Sequence, residues 1–112
     1  MAEWQDVCGI ADLQTNSGVC ALVDGQQVAI FFLLPAQTCY AISNFDPFGN
    51  ANVLSRGLIG DINGQPVVVS PLYKHHFNLQ TGVCLEDDSI KIPVYPIRLN
   101  QTRVEVNVRE AP

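Results

Sequence analysis

The sequence has few basic residues, and this shortage argues against one broad class of function. Six Lys and Arg stand against eleven Asp and Glu, which gives a net charge of −5. A nucleic-acid surface needs clustered cationic side chains that neutralise phosphates. The six basic residues are instead scattered along the chain, so we do not expect a nucleic acid as partner. The acidic balance indicates solubility and does not identify a partner.

The sequence also lacks a long apolar run and the pattern of a secretory signal. Its longest apolar run, Val28–Ala36, spans nine residues, whereas a membrane helix needs about 20. Residues Met1–Asp12 carry acidic side chains and lack a basic start followed by an apolar core. We therefore expect a cytoplasmic protein without a membrane partner. The length suits a single domain over residues 1–112.

The four cysteines are isolated from one another. Cys8, Cys20, Cys39 and Cys84 form no CxxC pair, which argues against a zinc site. In a cytoplasmic protein this usage predicts buried, reduced thiols rather than disulfides.

Short apolar stretches separated by Gly, Pro and Asn turns fill the chain, and no segment has a convincing amphipathic helix pattern. Asp24-Gly25 and Asn63-Gly64 accept the positive φ of a tight turn and predict two hairpins. The pattern as a whole predicts an all-β antiparallel sandwich or barrel. The paired strands expected at these turns are Val19–Val23 with Val28–Leu34, and Leu58–Ile62 with Pro66–Ser70.

Three further segments predict how the strands are buried. Val28–Leu34 shows no alternation, so both of its faces should be covered. Thr38–Ser43 is expected to follow it as another strand. Arg103–Arg109 alternates cleanly and predicts a strand with its valines facing the core. Ile92, Val94 and Ile97 form an apolar strand pattern that Pro93 and Pro96 interrupt. The two prolines predict an edge strand or a bulge. Asn44–Gly57, rich in turn residues, is predicted to be a loop.

The stretch Val67–Leu85 holds the most informative pattern. It reads as a β-branched run, a turn at Ser70-Pro71-Leu72-Tyr73, a second strand, and a Thr81-Gly82 turn into a third. This resembles the second cluster-binding loop of a Rieske domain, which carries Cys-Pro-x-His. Ser70 stands in the place of the Cys and Tyr73 in the place of the His. The resemblance implies a Rieske-like antiparallel β-sandwich or barrel with two loops at the former cluster site.

The first loop of the same pattern has also lost its ligands. Asn44 stands where the family carries Cys, and Asp46 where it carries His. Iron–sulfur clusters need thiolates, with imidazoles on one iron in the Rieske type. We therefore expect no cluster and no other metal in this chain. Ser70 and Tyr73 are predicted to hydrogen-bond within or between the loops, in place of the bridging that a cluster supplies.

No catalytic group stands out around these loops. Ser70 lacks a nucleophile elbow, and His75 and His76 are adjacent, so in a strand they point to opposite faces. We expect one of them to be inward and hydrogen-bonded and the other to lie at the surface. The aromatic side chains near the loops either fill the space above the core or present an apolar patch to a partner. The candidate partner interface comprises Phe45, Phe48, Arg56, Lys74, His75 and His76.

The whole chain resembles the small subunits of assimilatory NAD(P)H-dependent nitrite reductase. The matching motifs include Asp46-Pro47-Phe48, Ser55-Arg56-Gly57-Leu58-Ile59-Gly60-Asp61 and Ser70-Pro71-Leu72-Tyr73-Lys74. That family also lacks the cluster ligands.

The resemblance implies a large subunit as partner, carrying FAD, an iron–sulfur cluster and sirohaem. The complex would reduce nitrite to ammonium with six electrons during cytoplasmic nitrate assimilation. This chain would hold no cofactor and no catalytic residue, and would dock, stabilise or gate the large subunit. Two alternatives stay open: a cluster-free interaction module of another oxidoreductase complex, and an electron-transfer protein with a non-standard ligand set.

Overall fold

The structure, a computed structural model, describes residues 4–35 and 37–110. The domain predicted over 1–112 also includes residues 1–3, 36, 111 and 112, which lie outside this description. The described residues form twelve β-strands and three short 3-10 turns, without an α-helix. Within the same residues, no helix has the length and apolar character needed to cross a membrane.

Short strands follow one another through the chain, so the all-β prediction is confirmed. The 3-10 turns cover Ile10–Asp12, Leu54–Arg56 and Val108–Glu110. The strands are β1 (Gln5–Gly9), β2 (Ser17–Val23), β3 (Gln26–Leu33), β4 (Thr38–Ser43), β5 (Phe45–Asp46), β6 (Ala51–Asn52), β7 (Leu58–Ile62), β8 (Gln65–Val69), β9 (His76–Asn78), β10 (Val94–Tyr95), β11 (Ile97–Asn100) and β12 (Arg103–Val106).

A central sheet separates two outer sheets. The central sheet has the strand order β10-β4-β3-β2, and the outer sheets have the orders β1-β12-β11 and β7-β8-β9. Strands β5 and β6 form a small hairpin of their own. All pairings between these strands are antiparallel.

Strand β3 supplies side chains to two hydrophobic cores, one on each face of the central sheet. Ala29 and Phe31 point to the side of β8 and β9, while Val28 and Ile30 point to the side of β12. The prediction that both faces of this strand are covered is therefore confirmed. The loop-side core contains Ala29, Phe31, Ile42, Leu54, Val68, Phe77, Leu79, Cys84 and Ile92. The terminal core contains Val23, Val28, Ile30, Ala41, Tyr95, Val106 and Val108.

Both predicted hairpin turns are present. Asp24 and Gly25 have φ values of 51° and 80°, and Asn63 and Gly64 have 53° and 82°. Such values suit Asp, Asn and Gly because a short polar side chain, or none, avoids the steric cost of the left-handed region. The turns join β2 to β3 and β7 to β8, as predicted.

Near the C-terminal end the predicted edge position is confirmed, because β10 and β11 each lie at the edge of a sheet, but two predicted strands are wrong in extent. The apolar pattern around Pro96 divides into β10, which pairs with β4, and β11, which pairs with β12. Pro96 has no N–H to continue a ladder. The strand predicted over Arg103–Arg109 ends at Val106. Asn107 is buried, and its backbone N–H donates to the Pro96 carbonyl at 3.0 Å.

Two segments in the middle of the chain also differ from prediction. The loop predicted over Asn44–Gly57 holds β5, β6 and the 3-10 turn Leu54–Arg56. After Thr81-Gly82, the predicted third strand consists of two isolated bridges, Phe77 with Cys84 and Val83 with Lys91.

Candidate functional site

The two loops that the resemblance assigns to a cluster site are joined by a direct hydrogen bond. The first loop covers residues 44–57 and the second covers residues 70–75. The Ser70 hydroxyl in the second loop donates to the Asp46 carboxylate in the first, and both residues are fully buried. The prediction that Ser70 hydrogen-bonds between the loops is confirmed. Two oxygen-bearing side chains thus close the place where ligands for iron would stand.

The buried Asp46 carboxylate has further hydrogen-bond donors. Its Oδ1 accepts from the backbone N–H groups of Phe48 at 2.8 Å and Gly49 at 3.2 Å. The Ser70 hydroxyl in turn accepts from the N–H of Leu72 at 3.3 Å. A buried polar group is costly unless it is hydrogen-bonded. These contacts therefore let the carboxylate sit in the core while it shapes both loops.

Apolar contacts fill the rest of the seam between the loops. The rings of Phe48 and His75 stack with centroids 3.6 Å apart and an angle of 6°. A Cβ atom on Gly49 would lie 2.2 Å from Cδ1 of Leu72, so glycine lets the loops approach closely. The seam holds packed side chains where a cluster would need space.

Asn44 belongs to a different set of contacts. Its Nδ2 donates to Gln27 Oε1 at 3.1 Å and lies 3.4 Å from Cys20 Sγ. Its Oδ1 accepts from the Ser55 N–H at 2.7 Å. Asn44 thus fixes the 3-10 turn Leu54–Arg56 against β2 and β3, and its recorded hydrogen bonds do not reach the second loop.

Tyr73 does not bridge the loops, so that prediction is wrong. Its exposed fraction is 68%, and it makes no hydrogen bond within residues 4–35 and 37–110. The second loop closes through the Ser70 N–H, which donates to the His75 carbonyl at 2.9 Å. Residues 71–74 therefore project beyond this closure into solvent.

These residues do not fit an iron–sulfur cluster. The four positions that the resemblance assigns to cluster ligands carry an amide, a carboxylate, a hydroxyl and a phenol, while a cluster needs thiolates and imidazoles. Among the residues that the structure describes, no three His, Cys, Asp or Glu form a group that could hold a metal ion.

The four cysteines are free, but only one of them is fully buried as predicted. Cys84 is buried and Cys8 and Cys39 are half-buried, whereas Cys20 on β2 is exposed. Desolvation by burial raises the pKa of each of these four thiols above its usual value. Thiolates are therefore disfavoured at neutral pH.

The two histidines differ from the predicted arrangement. His75 stacks inward, but its Nδ1 is buried without a hydrogen-bond partner among the described residues. His76 is hydrogen-bonded to Glu86 twice. Its ring Nδ1 lies 2.5 Å from Glu86 Oε2, and its backbone N–H donates to Glu86 Oε1 at 2.7 Å. Although burial raises the pKa of Glu86, these hydrogen bonds from His76 outweigh it and hold that pKa below its usual value.

The candidate interface residues spread over four places. Phe45 and Lys74 are exposed on the loops, whereas Phe48 and His75 lie in the seam. His76 lies on β9, and Arg56 is exposed just before β7.

Sequence reasoning missed Glu86 as the acceptor for His76. It also missed two exposed apolar residues, Leu58 on β7 and Leu85 directly before Glu86. Each leucine stands next to another apolar residue, Ile59 or Cys84, so the pattern does not show which of the two faces solvent.

Comparison with known proteins agrees with this geometry. A family model for the Rieske-like [2Fe-2S] domain matches residues 3–107. The nitrite reductase (NADH) small subunit of Salmonella typhimurium is 44% identical over 106 residues, which cover 95% of this chain and 98% of that protein. A crystal structure of an NADH-dependent nitrite reductase small subunit from Mycobacterium tuberculosis is 40% identical, with a TM-score of 0.90 and 95% of each chain covered. The nitrite reductase [NAD(P)H] large subunit of Klebsiella oxytoca is 34% identical over 103 residues, covering 92% of this chain and 11% of that protein.

Proposed function

This chain belongs to the Rieske-like family and, within it, to the small subunits of nitrite reductase, and we propose that it is the non-catalytic subunit of an NAD(P)H-dependent nitrite reductase. The observation that carries the proposal is the Asp46–Ser70 hydrogen bond, which joins the two loops where a Rieske domain holds iron. A chain that keeps this scaffold without its ligands is suited to binding a protein rather than to carrying electrons.

The Klebsiella oxytoca relative supports association with a large subunit. In that protein a segment similar to this chain lies within a large-subunit polypeptide. A domain that is part of one chain in one protein and separate in another commonly meets the same partner in both. The large subunit is therefore the partner that we propose.

The proposed division of labour follows from the chemistry that this chain lacks. Electrons from NADH or NADPH would pass through FAD, an iron–sulfur cluster and sirohaem in the large subunit. There, six electrons would reduce each nitrite to ammonium. This would take place in the cytoplasm during nitrate assimilation. The present chain would hold none of these groups and would stabilise or gate the subunit that does.

Co-expression with the large subunit tests the proposal. Nitrite consumption with NADH or NADPH should be high when both chains are present and should fall when this chain is omitted. The purified small chain alone should be colourless and free of iron. Stoichiometric iron in it, or turnover that is independent of it, would refute the proposal. Recovery of a different oxidoreductase from cell extract, with no large subunit, would favour the alternative interaction module.

A further inference from the structure

We propose that the large subunit docks on the outer face of the β7-β8-β9 sheet, along a row of exposed side chains that continues from the second loop. This inference rests on the proposed function and names the surface that the function leaves open.

The inner face of this sheet identifies the outer one. Ile59, Val68 and Phe77 are cross-strand partners, and Cys84 bridges Phe77 on the far side. Val68, Phe77 and Cys84 are part of the loop-side core, and Ile59 packs against it. Successive residues of a strand point to opposite faces. The residues next to these four therefore point to the other face of the sheet, where Leu58 is exposed and Val67 is buried.

One position along each strand from these four, a second set of residues lies in a row on the outer face. Leu58 pairs with Val69, Val69 pairs with His76, and the Leu85 N–H donates to the His76 carbonyl at 2.8 Å. Directly paired residues lie on the same face of a sheet. We call Leu58, Val69, His76 and Leu85 the outer row.

The outer row is open to solvent at both ends, and its two middle residues, Val69 and His76, are half-buried. Leu58 is 75% exposed and Leu85 is 41% exposed. The second loop joins Val69 to His76 in the middle of the row, and its Leu72 and Tyr73 are exposed as well. Contiguous apolar surface of this kind typically marks a protein interface, whereas single exposed apolar residues do not.

The charges around the row indicate the chemistry of the partner. Lys74 forms no ion pair within the described part of the chain. Its Nζ donates a hydrogen bond to the Pro71 carbonyl at 3.4 Å. Beyond Leu85, at one end of the row, the chain continues through Glu86, which is paired with His76, to the exposed Asp87 and Asp88. The partner should therefore present an apolar strip with an acidic group near Lys74 and basic groups near the two aspartates.

The other side of the molecule offers less of this complementarity. Arg98, Arg103 and Arg109 are paired with Glu105, Asp6 and Asp24. These ion pairs neutralise the cations around the β1-β12-β11 sheet within the chain itself. Lys74, a cation without an ion pair among the described residues, thus lies beside the outer row and the second loop, which is why we assign docking to that face.

Binding measurements with the isolated large subunit test this assignment. Leu58→Asp and Leu85→Asp should each raise Kd by about tenfold or more, because a buried carboxylate without a partner opposes burial of the row. Leu99→Asp is the matched control: Leu99 is also 41% exposed but lies on β11. Its Kd should stay within about twofold of wild type. Lys74→Glu should slow association more than it speeds dissociation.

The outcomes separate this inference from the proposed function. If wild type binds and both row variants bind equally well while remaining folded by circular dichroism, the docking face is wrong and the function stands. If wild type does not bind the large subunit, both fail. If Leu99→Asp loses binding and the row variants keep it, the interface lies on the β1-β12-β11 sheet. A wild-type dimer that Leu58→Asp converts to a monomer would assign the row to a second copy of the chain instead.

Discussion

The Asp46–Ser70 pair replaces, with ordinary protein chemistry, the cross-link that a cluster would provide. A hydrogen bond to a charged group contributes more than one between neutral groups, and leaving a buried partner unsatisfied costs more still. Because the two residues are 24 positions apart, their contact holds the two loops together over a long separation in the chain. The loops therefore depend on this pair for their relative position.

Removing the Ser70 hydroxyl should weaken the fold. Ser70→Ala leaves the buried Asp46 carboxylate without one of its three donors, and we expect it to lower the free energy of unfolding by about 2 kcal/mol. Urea denaturation followed by circular dichroism measures this. Ser89→Ala is the matched control because the Ser89 hydroxyl donates to Asp87 at 2.5 Å on the exposed surface. It should change the free energy of unfolding by less than about 0.5 kcal/mol. Equal effects of the two variants would contradict the bridging role of Ser70.

Tyr73 should contribute little to stability. The sequence pattern predicts a bridging phenol, so that Tyr73→Phe would loosen the loops by about 1 kcal/mol. In the structure the side chain is mostly exposed and makes no hydrogen bond among the described residues. We now expect Tyr73→Phe to leave the thermal midpoint and the exchange rates of the loop amides unchanged. A clear loss of stability would show that the hydroxyl has a partner after all.

At the level of elements, a close contact between the 3-10 turn Leu54–Arg56 and strand β2 positions the first loop. A Cβ atom on Gly18 would lie 2.5 Å from the Ser55 carbonyl oxygen and 2.6 Å from Cε1 of Phe31. Gly18→Ala should therefore lower the free energy of unfolding by about 2 kcal/mol, since neither backbone nor a packed ring can move cheaply. Gly60→Ala is the control, because its nearest atom is 3.4 Å away. Tolerance of both changes in urea denaturation would contradict this tight packing.

The first and last strands are held together by a long-range ion pair. The guanidinium of Arg103 donates to both carboxylate oxygens of Asp6, with a shortest distance of 2.6 Å. These hydrogen bonds hold the pKa of Asp6 below its usual value of 3.8. A lowered folded-state pKa gives stability that is present above the unfolded value and is lost as pH falls through the folded one.

Acid titration of stability tests this ion pair. The difference in thermal midpoint between wild type and Asp6→Asn should be constant near neutral pH and should shrink below pH 3.8, the usual value for the carboxyl. Because the pair is exposed, added salt should also reduce the difference. Asp61→Asn is a control, since Asp61 is exposed and accepts only the Gly64 N–H among its recorded hydrogen bonds. A gap that persists unchanged at low pH would contradict the proposed linkage.

Local chemistry made some elements predictable and left others hidden. The Asp-Gly and Asn-Gly turns and the unbroken apolar run of β3 were readable because a few adjacent residues determine them. The partners of β1 and the division of the strand at Pro96 depend on residues far away in the chain. Only part of the seam between the loops was predictable from the sequence. The residue types show that cluster ligands are missing, whereas the Asp46–Ser70 contact and the outward position of Tyr73 depend on how the loops close.

At the scale of the whole molecule, the central sheet couples its two cores. Strands β3 and β4 place alternate side chains in the loop-side core and the terminal core. Neither core can therefore lose its packing without disturbing strands that the other one needs. The two loops, which lie beside the loop-side core, should therefore share the stability of the entire domain.

Matched valine substitutions in the two cores test this coupling. Val68 and Val106 are both fully buried, the first in the loop-side core and the second in the terminal core. Either change to Ala should lower the free energy of unfolding by about 2 kcal/mol. Fluorescence of the single Trp4, whose ring lies 4.3 Å from the Arg98 guanidinium, monitors the β1-β12-β11 side, and circular dichroism monitors all the sheets. If the domain is one cooperative unit, Val68→Ala shifts both unfolding curves equally. A Trp4 curve that stays in place while the circular dichroism curve moves would mean that the two cores unfold separately.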